Sequence, residues 1–517
     1  MVGLWGEEFE VSSNKTKSIL EKAASPKKVK TKKSANDLEG NLRLIRENVD
    51  LALGKYKDNT VLIKSRDELF KYFERARQDG ILAVDTETNK SLDPITCKIM
   101  GLCIYSPSQK AAYVPINHVH TGTEEKLEWQ CTEQDVHDAF TEYSDVPIVM
   151  HNGKFDYEVI KCTCGVELRL DWDTMVGARL LDENERAGLK GQYADKIDPS
   201  VEKYNIETFF KNVNYEDVDP ETFALYAATD AYITYKLYEY QKKQFGLPGS
   251  ERLYRLFKEV ELPVFLVAAE MELTGIAIDK EYSEKLSKKY NARMEDVDKQ
   301  IEECLSTRYA GRINEWRSTP AANYHPTTKA GKQGKSKNEQ LQDPVSVTSP
   351  TQLAILIYDV LGYKSDNGRG TSEDDLKKLT KQGFELGDLI LEKRGLKKLL
   401  STYIDKLPTI VNEKTGRLHG HFNTLGTDTG RFSSTEPNLQ NIPSHEKSIR
   451  MMFTAETSRF ETPVVDRQFT LLSISDVEIN GEWVNAKDLK VGMQIEDHYI
   501  EKLEDLGDKI IIHLCSC

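Results

Sequence analysis

Three short stretches carry acidic side chains at spacings that could bring them to one reaction centre. ILAVDTET is an apolar run ending in Asp85 and Glu87. Alternation along a strand puts both carboxylates on the same face, at its exposed end. IVMHNGKFD is a second apolar run that leads into Asn152 and Asp156. In YAATD, Tyr226 and Asp230 stand one helical turn apart and share a face. Carboxylates drawn together in this way repel unless cations neutralise them, and hard oxygen ligands suit Mg²⁺ or Mn²⁺. Two such ions stabilise the attacking and leaving oxygens when a phosphodiester is displaced in line. Asp85, Glu87 and Asp230 are then direct metal ligands, Asp156 holds the second ion through water, and Tyr226 orients the attacking water. Each motif alone is an ordinary solvated turn or helix surface. Their order, each on the expected element, gives them weight.

The elements that would position these residues can be read from periodicity. From about residue 60 to 244, short apolar runs (VLI, ILAVD, IMGLCIY, AAYVPI, PIVMHN) alternate with helical stretches such as 65–78, the pattern of an α/β sheet domain. Before it lies a polar leader, 1–60, with a helix expected over 41–53. From 251 onward long amphipathic helices dominate, for example 261–273 and 283–305. A stretch rich in Gly, Lys, Gln, Asn and Thr, 311–343, predicts a mobile loop, and helices resume over 351–361 and 387–407. After Phe453 the sequence turns to short β-rich segments with turn signals such as Asn480-Gly481.

At 517 residues the chain has room for two to four domains. It has no run of about 18 apolar residues, and MVGLWGEEFEVSS lacks the apolar core of a signal peptide, so no membrane association and a cytoplasmic location are expected. The eight cysteines show no C-x-x-C pairing of a structural zinc site. A net charge of −14 argues against a protein that coats nucleic acid through a basic surface, but leaves room for a local basic cleft. The basic run Lys27, Lys28, Lys30, Lys32 and Lys33 reads as a solvated tail.

The three acidic motifs resemble those of the DEDD exonucleases, in the subgroup with tyrosine in the third motif. The likeness is greatest to the proofreading domain of bacterial and phage polymerase I-like (family A) DNA polymerases. It continues through DTETNKSLD, AAYVPINH and the helix opened by Asp173-Thr174-Met175. The resemblance implies a ribonuclease H-like α/β fold, 3′→5′ exonuclease activity, Leu92 wedged against the 3′-terminal base and Asn152 on the terminal nucleotide. The segment leading to Leu92 is one residue longer than the family pattern.

Further along, ELPVFLVAAEMELTGIAIDKEY is similar to the start of the family A polymerase domain, and SPTQLAILIYDVLGY, TSEDDLKKL and KRGLKKLLSTYIDKLP to its thumb helices. LGTDTGRFSSTEPNLQNIPSHEKSIRMMF resembles the block that grips the primer-template near its 3′ end. There Arg431 can donate to minor-groove acceptors, Ser433 and Ser434 to phosphates, while Asn438, Gln440 and Asn441 add amides. The D-x-S-Q-x-E strand, nucleotide-binding helix and H-D-E turn that the family implies do not follow Phe453. Instead SISDVEINGEWVNAKDLKVGMQI resembles the early strands of inteins (Hint domains), with Met493 where aspartate is usual. That stretch is either an intein N-terminal fragment, with Ser458 as splicing nucleophile, or an unrelated β-rich insertion.

The expected organisation is therefore a leader (1–60), a 3′-5′ exonuclease domain (61–245), a mainly helical partial polymerase domain (246–457) and a Hint-like tail (458–517). Expected partners are a single-stranded DNA 3′ end, primer-template duplex and a C-terminal polymerase/intein polypeptide. The host would be a bacterial cell, if the chain is phage-encoded. The rival is a free-standing DEDD exonuclease on DNA or RNA, which leaves TGRFSS and PNLQNIP without a purpose. A DNA-binding scaffold with vestigial acids is the non-enzymatic alternative.

Overall fold

A computed structural model describes residues 38–454, apart from 185, 187, 199–208, 212, 328–331, 365–367, 428 and 445. Beyond 454 it describes 468–472, 476–479, 482–485, 489–490, 494–495, 498–505 and 509–516. Ser458 lies outside the described residues. The chain divides into two units, 1–454 and 455–517.

The described part of the first unit begins with helix α1 (Leu38–Leu53), strand β1 (Thr60–Leu62) and helix α2 (Arg66–Asp79). Ser65 caps α2 by accepting from the Glu68 N–H, and Gly80 closes it in the left-handed conformation (φ 73°) that costs glycine nothing. Strands β2 (Leu82–Thr88), β3 (Ile99–Tyr105) and β4 (Ala111–Pro115) follow, then α3 (Glu133–Glu142), β5 (Ile148–Met150), α4 (Gly153–Cys164) and β6 (Leu170–Asp173). Helices α5 (Thr174–Leu181), α6 (Leu189–Lys196) and the long α7 (Pro220–Phe245) complete this part.

The six strands form one mixed sheet in the order β1-β4-β3-β2-β5-β6. β2, β5 and β6 run parallel, and β3 is antiparallel to β2 and β4. β2 therefore lies inside the sheet, with both faces covered. Its run Leu82-Ala83-Val84 is fully buried, as a strand covered on both faces must be. Helix α7 packs across β2, β3 and β4.

The core of this domain is wider than the boundaries 61 and 245. Ile45, Val49 and Leu53 of α1 belong to it, as do Phe257, Leu262, Phe265 and Ala269. Helix α8 (Leu262–Thr274) packs on α4, so the expected start of the polymerase part is welded to the sheet domain.

Next come β7 (Ile276–Ile278) and the long helix α9 (Lys280–Glu303). The expected mobile loop, 311–343, differs from expectation: it contains helices Ala310–Arg317, Pro320–Asn323 and Lys337–Gln340. Ile313, Trp316, Ala322 and Leu341 are buried against Val297 and Ile301 of α9. A few apolar anchors among many polar residues hold these short helices, too sparse to give a readable period. Helices α10 (Glu373–Lys381) and α11 (Gly387–Leu399) cover the same core, with Leu376, Leu379 and Ile390 in it.

The unit ends in short strands β8 (Arg417–Leu418), β9 (His421–Asn423), β10 (Ser433–Thr435) and β11 (Phe453–Thr454). β7 pairs with both β8 and β11, and β9 pairs with β10.

The described strands of the second unit pair antiparallel. Strands at 468–472, 509–516, 498–505 and 494–495 form one sheet in that order. The segments flanking Asn480-Gly481 pair as a hairpin, with Ile479 opposite Glu482.

Candidate active site

Asp85 and Glu87 alternate with buried Thr86 and Thr88 on β2, so both carboxylates leave the sheet on one face. Across the antiparallel ladder Asp85 faces Cys103 and Glu87 faces Gly101. A side chain at Gly101 would meet the Val114 carbonyl at 2.5 Å and the Tyr113 ring at 2.6 Å, so only glycine lets these strands pack beside Glu87. Ligand atoms of Asp85, Glu87 and Cys103 all lie within 4.8 Å of one another. Burial pushes the Cys103 thiol well above its ordinary range, and the neighbouring carboxylates push it further. Thiol sulfur is a soft donor, so a hard divalent cation would take the carboxylate oxygens instead.

Asp156 reaches the cluster from the first turn of α4. Its Oδ1 accepts from the Thr86 N–H at 3.0 Å and the Thr86 hydroxyl at 2.5 Å. Burial raises its pKa to about 7, against the Thr86 hydrogen bonds. Asp85 is pushed well above the usual carboxylate range, first by burial and then by the charges of Asp156, Asp230 and Glu87. That is the electrostatic signature of acids assembled for a cation. Asp230 completes the set from α7. Its Oδ2 pairs with Lys190 Nζ at 3.2 Å, while its Oδ1 is buried without a hydrogen-bond partner. A buried, unpartnered carboxylate oxygen beside like charges fits a divalent cation.

Tyr226 is buried one turn before Asp230, its ring 5.1 Å from Phe210 and 5.7 Å from Phe223. Asn152 precedes α4 in the left-handed conformation (φ 58°, ψ 38°), which asparagine tolerates better than most residues. Asp173 steadies the helix starts behind it: Oδ2 accepts from the Gly153 N–H at 2.7 Å, and Oδ1 from those of Met175 and Val176. Leu92 stands on the loop after β2 and is 80% exposed, an apolar side chain held in solvent.

The structure thus brings Asp85, Glu87, Asp156 and Asp230 together, with Tyr226 one helical turn before Asp230. Arg431, Ser433, Ser434, Asn438, Gln440 and Asn441 stand on the β9–β10 hairpin and the segment after it. Arg431, Asn438, Gln440 and Asn441 are exposed. Ser434 departs from the expected phosphate contact. It is 1% exposed, and its hydroxyl donates to the Pro437 carbonyl and accepts from the Leu439 N–H. It braces the loop that presents the amides. Asn438 also works locally, accepting from the Gln440 N–H at 3.1 Å.

Sequence reasoning missed Thr86 and Lys190. Lys190 lies on α6, with Nζ beside Asp230 and 5.3 Å from the centre of the Tyr226 ring. Nothing in the spacing of GLKGQYA points to the cluster, which only the packing of α6 on α7 brings near.

Residues 60–245 match the 3′-5′ exonuclease family, and residues 324–466 match DNA polymerase family A. The chain carries a 3′-5′ exonuclease domain and part of a family A DNA polymerase domain. It is 30% identical to DNA polymerase I of Chloroflexus aurantiacus over 413 residues, which cover 76% of this chain and 39% of that protein. DNA polymerase I of Treponema pallidum is 29% identical over 465 residues, 80% of this chain and 41% of the relative. For that of Synechocystis the values are 32% over 415 residues, 78% and 37%. The chain thus spans about two fifths of the length of these relatives. Its fold is similar to the POL domain of Pol1 from M. smegmatis, solved with DNA primer-template and dNTP. The TM-score is 0.54 at 21% identity, covering 77% of this chain and 59% of that one. Among the described residues, no helix is long and apolar enough to cross a membrane.

Proposed function

We propose that the chain removes nucleotides from DNA 3′ ends as a proofreading exonuclease of the tyrosine-containing DEDD subgroup. The observation that carries this reading is the convergence of Asp85, Glu87, Asp156 and Asp230 from β2, α4 and α7, with one oxygen of Asp230 buried and unpartnered. Asp85, Glu87 and Asp230 would hold Mg²⁺ or Mn²⁺ directly, and Asp156 a second ion through water. Bound there, the two ions would stabilise the attacking and leaving oxygens of the phosphodiester.

The protein's own residues do the positioning. The Tyr226 hydroxyl orients the water that attacks phosphorus, its ring fixed by Phe210 and Phe223. Thr86 fixes the Asp156 carboxylate. Leu92 meets the terminal base, Asn152 the last nucleotide, and the 3′-terminal residue leaves as a nucleoside monophosphate. Arg431, Ser433, Asn438, Gln440 and Asn441 serve a primer-template duplex, as the family A match over 324–466 supports.

The test uses 5′-labelled single-stranded and mismatched primer-template DNA, with RNA alongside, in Mg²⁺ or Mn²⁺. Stepwise shortening from the DNA 3′ end is expected. Internal cleavage, or a preference for RNA, would favour the free-standing exonuclease reading instead.

Residues 458–517 are read as the start of an intein, supported by the Hint-like sequence pattern and the antiparallel strands of this separate unit. The Ser458 hydroxyl would attack the Thr457 carbonyl, exchanging an amide for an ester. The polymerase match reaches residue 466, past this junction, which makes the junction the point to test. Mass spectrometry with a complementary C-terminal intein polypeptide should show loss of 458–517. Splicing by Ser458→Ala at the wild-type level would place the junction elsewhere.

A further inference from the structure

The loop after β2 carries Lys90, between Glu87 and Leu92. Lys90 takes a left-handed backbone conformation (φ 66°), unusual for a side chain with a Cβ. Although the residue is exposed, its ammonium is held by the protein. Nζ donates to the Phe210 carbonyl at 2.7 Å and the Val213 carbonyl at 2.5 Å, and lies 4.7 Å from the centre of the Tyr215 ring. A charge-assisted pair of bonds to main-chain carbonyls, backed by a ring face, is a specific socket for an ammonium.

The two ends of this link matter to the site. One end is the loop that holds Leu92 in solvent two residues further on, and that leaves Glu87 three residues before Lys90. The other end is the segment whose Phe210, fully buried, packs its ring against Tyr226 and Phe223. Tyr215 packs on Phe210 and Phe223 in turn, at 5.7 and 5.0 Å. One lysine therefore ties the Leu92 loop to the aromatic wall behind Tyr226.

We propose that Lys90 is a positioning residue of the exonuclease site. Through the Phe210 and Val213 carbonyls it sets the Tyr226 ring and the Leu92 loop against each other. The proposal rests on the exonuclease reading for its kinetic consequence, but the link itself is testable without catalysis. Hydrogen exchange should show the amides of 89–98 and 209–215 losing protection together in Lys90→Met, with Lys90→Arg retaining most of it. Unchanged protection in either segment overturns the link, whether or not the wild-type chain cleaves DNA.

In kinetics on single-stranded DNA, Lys90→Met should lower kcat about tenfold and raise KM by a smaller factor, because an orienting contact costs more in the transition state than in binding. Added to Tyr226→Phe, it should lower kcat by far less than tenfold, since both changes act through the same hydroxyl. A full additional tenfold loss in that background, or wild-type kcat and KM in Lys90→Met, overturns the positioning role. Should Lys90→Met fold poorly, Lys90→Gln is measured in the same way, with the same two overturning outcomes.

Discussion

Thr86 and Asp156, far apart in sequence, are joined by two hydrogen bonds to a single carboxylate oxygen, one from the threonine N–H and one from its hydroxyl. Because Thr86 lies between Asp85 and Glu87, β2 supplies two acids of the cluster and anchors a third. Thr86→Val keeps the shape and the N–H bond but removes the hydroxyl. Exonuclease kcat should fall about tenfold, the scale of one charge-assisted hydrogen bond. Thr86→Ser should recover most of it. Equal rates for Val and Thr would show that the N–H alone holds Asp156.

Asp85→Ala with Glu87→Ala should abolish metal-dependent hydrolysis, and calorimetry should show the loss of divalent-ion binding together with activity. Tyr226→Phe should retain a measurable rate, because the water loses one orienting bond and keeps its other support. Metal binding undiminished in the double alanine variant would place the ions elsewhere.

Lys154 and Glu272 form a buried ion pair between α4 and α8; Lys154 also donates to the Phe422 carbonyl at 2.9 Å. Glu272 is 4% exposed. Burial would raise its pKa, but bonds from His421, Lys154 and the Phe422 N–H hold it below the ordinary value. Lys154→Met leaves that carboxylate to His421 and the Phe422 N–H and should cost about 1–3 kcal/mol in urea unfolding. Lys154→Met with Glu272→Met should regain most of the loss. A double variant no better than the single one would locate the cost in packing rather than in the lost ion pair.

His118 is fully buried, with Nδ1 donating to the Val218 carbonyl at 2.9 Å and Nε2 accepting from the Tyr113 hydroxyl at 2.8 Å. Burial lowers its pKa from 6.5 to about 4. Above pH 6.5 both folded and unfolded chains hold it neutral. As pH falls below that value the unfolded chain takes up a proton that the fold refuses, so stability is lost until the folded value is passed. Through this group alone the wild type should lose about 2 kcal/mol between pH 7 and 5. His118→Gln should be less stable at pH 7 but show a shallower acid slope by that amount. An unchanged slope would rule out the histidine as its source.

Arg431 is exposed at the β9–β10 hairpin, where it is free to meet a duplex. As a minor-groove donor, Arg431→Ala should weaken primer-template binding by about 1–3 kcal/mol while leaving the salt dependence nearly unchanged. A phosphate contact would instead lower the logarithmic salt slope by about one. Fluorescence anisotropy at several salt concentrations separates the two.

What the sequence determined by itself is everything set by local period. Asp85 and Glu87 share a face because strands alternate, and Tyr226 and Asp230 share one because helices turn every 3.6 residues. The apolar runs before the acids mark strands buried on both faces, and α7 and β2 formed where those patterns placed them. The tertiary structure alone decided which partners meet. Lys190 beside Asp230, Thr86 bonded to Asp156 and Lys90 seated on the Phe210 and Val213 carbonyls join residues distant along the chain, and no period encodes such pairings. Burial was equally hidden: Ser434 turned inward although its sequence context reads as an exposed polar loop. The helices within 311–343 form because Ile313, Trp316 and Leu341 find a core built by α9. Isolated apolar residues become structural only when another segment supplies the surface that buries them.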